Sequence, residues 1–166
     1  MPAATLGVDF GRVINDASSH PSGDDTSFLQ GSDREMLATP AMAGAFDSLK
    51  RLVRAFEGRA WIVSKAGPRV QDNTERWLLH QDLYAKTGMS STNLRFVRRR
   101  VDKVTQCQEL GITHFVDDRV EVIEALTGVV PHLYLFGPQD QPHPRRALAV
   151  RTWEAAETAI LSDLSR

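Results

Sequence analysis

Residues 5–10 read TLGVDF, a short apolar run that ends in the carboxylate Asp9. Four to six apolar residues stopping at a polar one suit a buried strand too short to be a helix. The same pattern recurs along the chain. Ala60 to Val63 (AWIV) ends at Ser64, Thr113 to Val116 (THFV) runs into Asp117 and Asp118, and His132 to Phe136 reads HLYLF. Leu94 to Val97 (LRFV) is a further short candidate. Between these runs the period changes to that of helices. From Ala41 the apolar residues Met42, Phe46, Leu49, Val53 and Phe56 recur at spacings of three and four, and Gly58 follows as a stop. Pro68 can open a helix running toward His80, Val101 to Leu110 reads as a helix closed by Gly111, and Val120 to Leu126 as another. After the proline-rich GPQDQPHP comes a last helix containing Trp153, Ala156 and Ile160. Short apolar strands alternating with amphipathic helices imply an α/β fold, with a mainly parallel sheet covered on both faces.

The chain has 166 residues, which sets the expectation of a single domain over residues 1–166. Residues 15–40 are rich in Ser, Asp, Gly and Pro and predict a long loop or small flap after the first strand. Formal charge is −1, so overall electrostatics do not direct the protein to nucleic acid or membrane. A small phosphorylated substrate needs only local positive charge. The single cysteine, Cys107, excludes an internal disulfide and reads as a helix residue without chemistry. With no basic leader and no apolar run of membrane-spanning length, a cytoplasmic location is expected.

In parallel sheets ligands bind beyond the carboxyl ends of the strands. Asp9, Ser64 and the Asp117–Asp118 pair stand at those ends, and Lys103 lies near the start of the helix feeding the third of them. A carboxylate nucleophile, a hydroxyl donor, an ammonium and an acidic pair are what phosphoryl transfer to a carboxylate uses. Each residue has an ordinary structural role available, as turn cap, N-cap or solvated lysine. Adjacent strand-end carboxylates are rarer, because like charges repel unless a cation or hydrogen bonds offset them.

Here the sequence resembles the haloacid dehalogenase (HAD)-like hydrolase superfamily. LGVDFGRVI is similar to its first motif, WIVSKAG to its second, Lys103 in RVDKVTQCQELGI to its third and HFVDDRVEVIEAL to its fourth, in the family's order from about Leu6 to Leu126. The resemblance implies a three-layer Rossmann-like sandwich with no large cap domain. It also implies that Asp9 is phosphorylated, that Ser64 and Lys103 hold the transferring group, and that Asp9, the Gly11 carbonyl and Asp118 bind Mg²⁺ with Asp117 assisting.

Gly11 departs from the family pattern. Family phosphatases usually carry a second Asp there as general acid and base, followed by Gly where this chain has Arg12. General acid–base help is worth about 10²–10⁴-fold, so its loss should slow an alkoxide leaving group. Asp16, Asp24 and Asp25 are candidate substitutes in the flap. Arg12, Lys65 and Arg98 are candidate substrate-binding cations, Arg98 as the first of an Arg98–Arg99–Arg100 run. The expected partner is a phosphorylated small molecule or nucleotide, or a nucleic-acid end. Two readings stand: a Mg²⁺-dependent phosphohydrolase, or a binding or regulatory domain that keeps the fold without turnover. A dinucleotide-binding domain is disfavoured because no glycine-rich phosphate loop follows the first strand.

Overall fold

A computed structural model describes residues 2–17 and 31–166. In chain order the elements are β1 (Leu6–Val8), α1 (Asp33–Leu37), α2 (Ala45–Ala55), β2 (Ala60–Lys65), α3 (Pro68–His80), α4 (Leu83–Thr87) and β3 (Leu94–Val97). After a 3₁₀ turn at Arg100–Asp102 come α5 (Lys103–Leu110), β4 (His114–Asp117), α6 (Val120–Leu126), β5 (His132–Phe136), β6 (Ala147–Val150) and α7 (Trp153–Leu164). The six strands form one sheet in the order β3-β2-β1-β4-β5-β6, and every pairing is parallel.

Strand residues alternate between the two faces, and each face has its own core. Leu6, Val8, Ile62, Val116, Tyr134 and Phe136 pack with α2, α3 and α7 through Leu49, Leu52, Trp77, Trp153 and Ile160. Val63, Phe115, Leu133 and Leu135 pack on the other side with Cys107 of α5 and Val122, Ile123 and Leu126 of α6. Burial of each such side chain contributes roughly 1.5–3 kcal/mol. Cys107 is buried here with its thiol pKa pushed up to about 12 by burial, as expected of an inert cysteine. Two indole N–H groups secure the chain on either side of the flap: Trp153 donates to the Val13 carbonyl at 2.6 Å and Trp77 to the Thr39 carbonyl at 2.8 Å.

Gly7 lies at the centre of β1, between β2 and β4. A Cβ there would sit 2.5 Å from Phe115 Cδ2 and 2.8 Å from Ile112 Cδ1, so the face between β1 and α5 closes only over a glycine.

Three features differ from the sequence-based expectation. The helix read from Ala41 starts at Ala45, because Gly44, at φ +78°, breaks the backbone before it. Strand β6 was not anticipated: Leu148 and Ala149 are exposed on this sheet edge, so only Ala147 and Val150 carry an apolar signal. Of the flap, α1 occupies Asp33–Leu37, and Asp24 and Asp25 lie outside the described residues. No separate cap domain is present among the described residues, nor any helix long and apolar enough to cross a membrane.

Candidate active site

The chain runs outward from β1 to β3 on one side of the sheet and from β4 to β6 on the other. The carboxyl ends of β1 and β4 therefore flank the point where strand order reverses, where open α/β sheets bind ligands. Asp9 follows β1 directly, Asp117 ends β4 and Asp118 follows it. A cleft of about 660 Å³ opens there and is lined by Asp9, Gly11, Arg12, Ser64, Lys103 and Asp118, among others.

Lys103 joins the two strand ends. Its Nζ donates to Asp9 Oδ1 at 2.9 Å and to Asp117 Oδ2 at 2.8 Å, and its side chain is 3% exposed. Burial on its own would lower the lysine pKa, but the charges of Asp9 and Asp117 outweigh it, and the net direction is upward. Lys103 is thus held as an ammonium. The other Asp117 oxygen, Oδ1, accepts the Arg119 backbone N–H at 2.9 Å. Both oxygens of this fully buried carboxylate are therefore engaged, and its role is to hold Lys103 and the start of α6 in place. Asp118 is less buried. Burial, then the charges of Asp9 and Asp117, push its carboxyl up to about 9. A raised carboxyl beside two other buried carboxylates makes a site that a cation would relieve.

Carboxylate oxygens of Asp9, Asp117 and Asp118 all lie within 4.8 Å of one another. Because Asp117 is already bonded on both oxygens, Asp9 and Asp118 are the pair with capacity for an ion. A ligand set of few carboxylate oxygens fits Mg²⁺, which keeps several waters and substrate oxygens. Gln139, after β5, donates to the Asp118 backbone carbonyl at 2.9 Å and to that of Phe136 at 3.0 Å, fixing the strand end that presents Asp118.

Ser64 is buried and lines the cleft, near the end of β2. Lys65 is exposed at its rim. Arg12 sits at φ +60°, a left-handed conformation that favours glycine, and its N–H donates to Asn15 Oδ1 at 3.0 Å. Arg98 is exposed and does not line the cleft; Arg100, two residues on in the 3₁₀ turn, does. The turn after β3 decides which arginine of the run faces inward, and the run itself carries no sign of it. Arg69, Arg119 and Gln139 also went unanticipated. Their position just after β2, β4 and β5 is the signal that could have found them.

No family model matches the chain, and no curated protein gives a significant match. Solved structures do. D,D-heptose 1,7-bisphosphate phosphatase from Burkholderia thailandensis superposes with a TM-score of 0.62 at 14% identity, over 96% of this chain and 99% of that one. A haloacid dehalogenase-like family hydrolase from Xanthomonas campestris gives 0.65 at 9% identity, over 96% of each chain. A HAD family hydrolase from Deinococcus radiodurans, with bound phosphate and sodium, gives 0.64 at 15% identity over 99% of this chain and 97% of that one. The chain has the haloacid dehalogenase-like fold. Within that HAD-like fold, the residues that carry the sequence resemblance, Asp9, Ser64, Lys103, Asp117 and Asp118, meet at one place, and the family's second Asp is Gly11.

Proposed function

We propose that this protein is a Mg²⁺-dependent phosphohydrolase that works through an aspartyl-phosphate on Asp9. The observation that carries this reading is the Lys103 bridge: a buried ammonium holds Asp9 at the mouth of a cleft, against the Asp117–Asp118 strand end. Lys103 anchors Asp9 Oδ1 and so fixes the rotamer that offers the carboxylate to a phosphorus atom. The same ammonium, with the Ser64 hydroxyl, is placed to hydrogen-bond the equatorial oxygens as charge spreads onto them. Asp9, Asp118 and the Gly11 carbonyl would hold Mg²⁺, which when bound supplies charge neutralisation for carboxylates and phosphoryl group. Six cations, Arg12, Lys65, Arg69, Arg100, Lys103 and Arg119, line the cleft of a chain whose formal charge is −1. That local excess suits a phosphorylated small molecule or nucleotide, and equally the phosphate at a nucleic-acid end.

The test is turnover of p-nitrophenyl phosphate with Mg²⁺, in wild type and Asp9→Asn. Its leaving group needs little protonation, so Gly11 harms it least. Mg²⁺-dependent release that disappears in Asp9→Asn is expected; equal rates in the two proteins would remove Asp9 from the chemistry. Gly11 favours a second reading, a ligand-binding domain without turnover. Stabilisation by phosphorylated ligands, with no phosphate release from any of them, would establish it.

A further inference from the structure

Given the hydrolase reading above, the described lining of the cleft bears on which bond is broken. Gly11 has no proton to give. Among the described residues lining the cleft there is no Glu, His, Tyr or Cys, and the carboxylates are Asp9 and Asp118, already assigned as nucleophile and metal ligand. Nothing in that set is left to protonate a departing alkoxide. Positive charge, by contrast, exceeds what one phosphoryl group needs.

Lys103 and Ser64 serve the transferring group, and five further cations surround it. They come from the ends of four different strands: Arg12 after β1, Lys65 and Arg69 at β2, Arg100 after β3 and Arg119 after β4. Arg100 is partly offset by Glu121 at 3.7 Å. Among the described residues Lys65 and Arg69 have no ion-pair partner within 4.0 Å, Arg69 acting on Asp33 only from farther off. Lys65 precedes α3 and Arg69 lies in its first turn, which contains no acidic residue and no side-chain cap. Beside them Ser64 Oγ, on a residue 5% exposed, has no hydrogen bond among the described residues.

We infer that the substrate is a phosphoanhydride, with a second phosphate as leaving group, held by Lys65 and Arg69. In the first step an Asp9 oxygen bonds to the terminal phosphorus as its bond to the bridging oxygen breaks. The electron pair stays on that oxygen, and the released phosphate leaves as an anion, stabilised by the two cations rather than by a proton. In the second step water attacks the aspartyl-phosphate, the Asp9–phosphorus bond pair returns to the carboxylate, and the proton of water passes to the released phosphate. A phosphate whose second pKa is about 6 can accept it. The leaving group thus supplies both functions that Gly11 lacks.

The experiment compares kcat/KM, in the full chain with Mg²⁺, for inorganic pyrophosphate, a nucleoside diphosphate, glycerol 3-phosphate and p-nitrophenyl phosphate. Both anhydrides should exceed the alkyl ester by about 10²-fold or more, the worth of the missing acid. Preference for only one of the two still supports the inference and identifies its source, inorganic or nucleotide. Gly11→Asp should narrow the gap by raising the ester. Lys65→Gln combined with Arg69→Gln, both exposed positions, should cut the anhydride-to-ester ratio by about tenfold or more. An alkyl ester turned over within about threefold of the anhydrides, or a ratio unmoved in the double variant, overturns the inference while the hydrolase reading stands. The same holds for turnover of the aryl phosphate with none of either anhydride. No turnover of any probe, or turnover that survives Asp9→Asn, overturns both.

Discussion

Strand β4 begins at His114 and ends at Asp117, and both side chains are buried. At the His114 end the ring is enclosed by apolar and aromatic groups, stacked 4.4 Å from His132 and edge-on to Phe56 at 5.2 Å. Burial, then the neighbouring His132, push its pKa down to about 4, so the imidazole is neutral. At the Asp117 end, three residues away, the fold retains charge: Lys103 lies between two carboxylates, with the raised carboxyl of Asp118 beside them. One strand shows both ways of burying a titratable group, by discharging it and by pairing it. Discharge produces a quiet core. Pairing costs desolvation that hydrophobic residues would avoid, and it leaves a directed field at the mouth of a cleft. Perturbed, paired groups in a cleft mark function in a way that an equally buried neutral histidine does not.

That contrast can be broken at several points. Asp9→Asn should lower turnover on the order of 10³-fold or more while the protein stays folded, because the proposed nucleophile has no substitute; phosphate release and circular dichroism check the two halves. Lys103→Met leaves two buried carboxylates facing each other without their cation and should cost about 3–5 kcal/mol in urea unfolding. If Lys103→Met were neutral in stability, the charged end of β4 would be no different in kind from the quiet one.

The His114 end predicts a pH dependence. Its pKa is about 4 in the fold and 6.5 ordinarily, so the unfolded chain takes up the proton first as pH falls. This contribution is complete above pH 6.5 and is lost progressively down to pH 4, for a total of roughly 3 kcal/mol. Denaturant unfolding at a series of pH values in wild type and His114→Phe should show the slope shrink in the variant. Mg²⁺ should act at the opposite end alone. At a hundredfold excess over its dissociation constant it should stabilise wild type by about 2.7 kcal/mol and Asp118→Asn by much less. Smallest of all, Arg12→Gly relieves the left-handed backbone at φ +60° and should leave stability unchanged or raise it by about 1 kcal/mol, while weakening binding of phosphorylated ligands.

The strands that build the site were legible because they are buried on both faces and so read as unbroken apolar runs, as in AWIV and HLYLF. β6, with Leu148 half exposed, lacks that signal, and α4 is a five-residue helix whose Asp82 N-cap is left-handed, which no periodicity announces. The chemical core was legible for a related reason: Asp9, Ser64 and Asp117–Asp118 interrupt apolar runs at their carboxyl ends, where parallel topology brings them together. The cation ring was only partly visible. Arg12 and Lys65 adjoin those motifs, whereas the inward turn of Arg100 rather than Arg98, and the reach of Gln139 across to Asp118, depend on loop conformation that residue order does not encode locally.

Gly7 does not line the cleft, yet the arrangement of the carboxylates there hangs on it. A methyl group there would meet the Phe115 ring and the Ile112 side chain on the α5 face, so that layer must shift away from β1. Asp9 and Asp117 ride on β1 and β4 while Lys103 opens α5, so one added carbon in the middle of the sheet would strain the Lys103 bridge at its rim. A mutational screen would then score a residue with no chemical group of its own among the most intolerant in the protein, and the defect would surface in the cleft, remote from the atom that caused it.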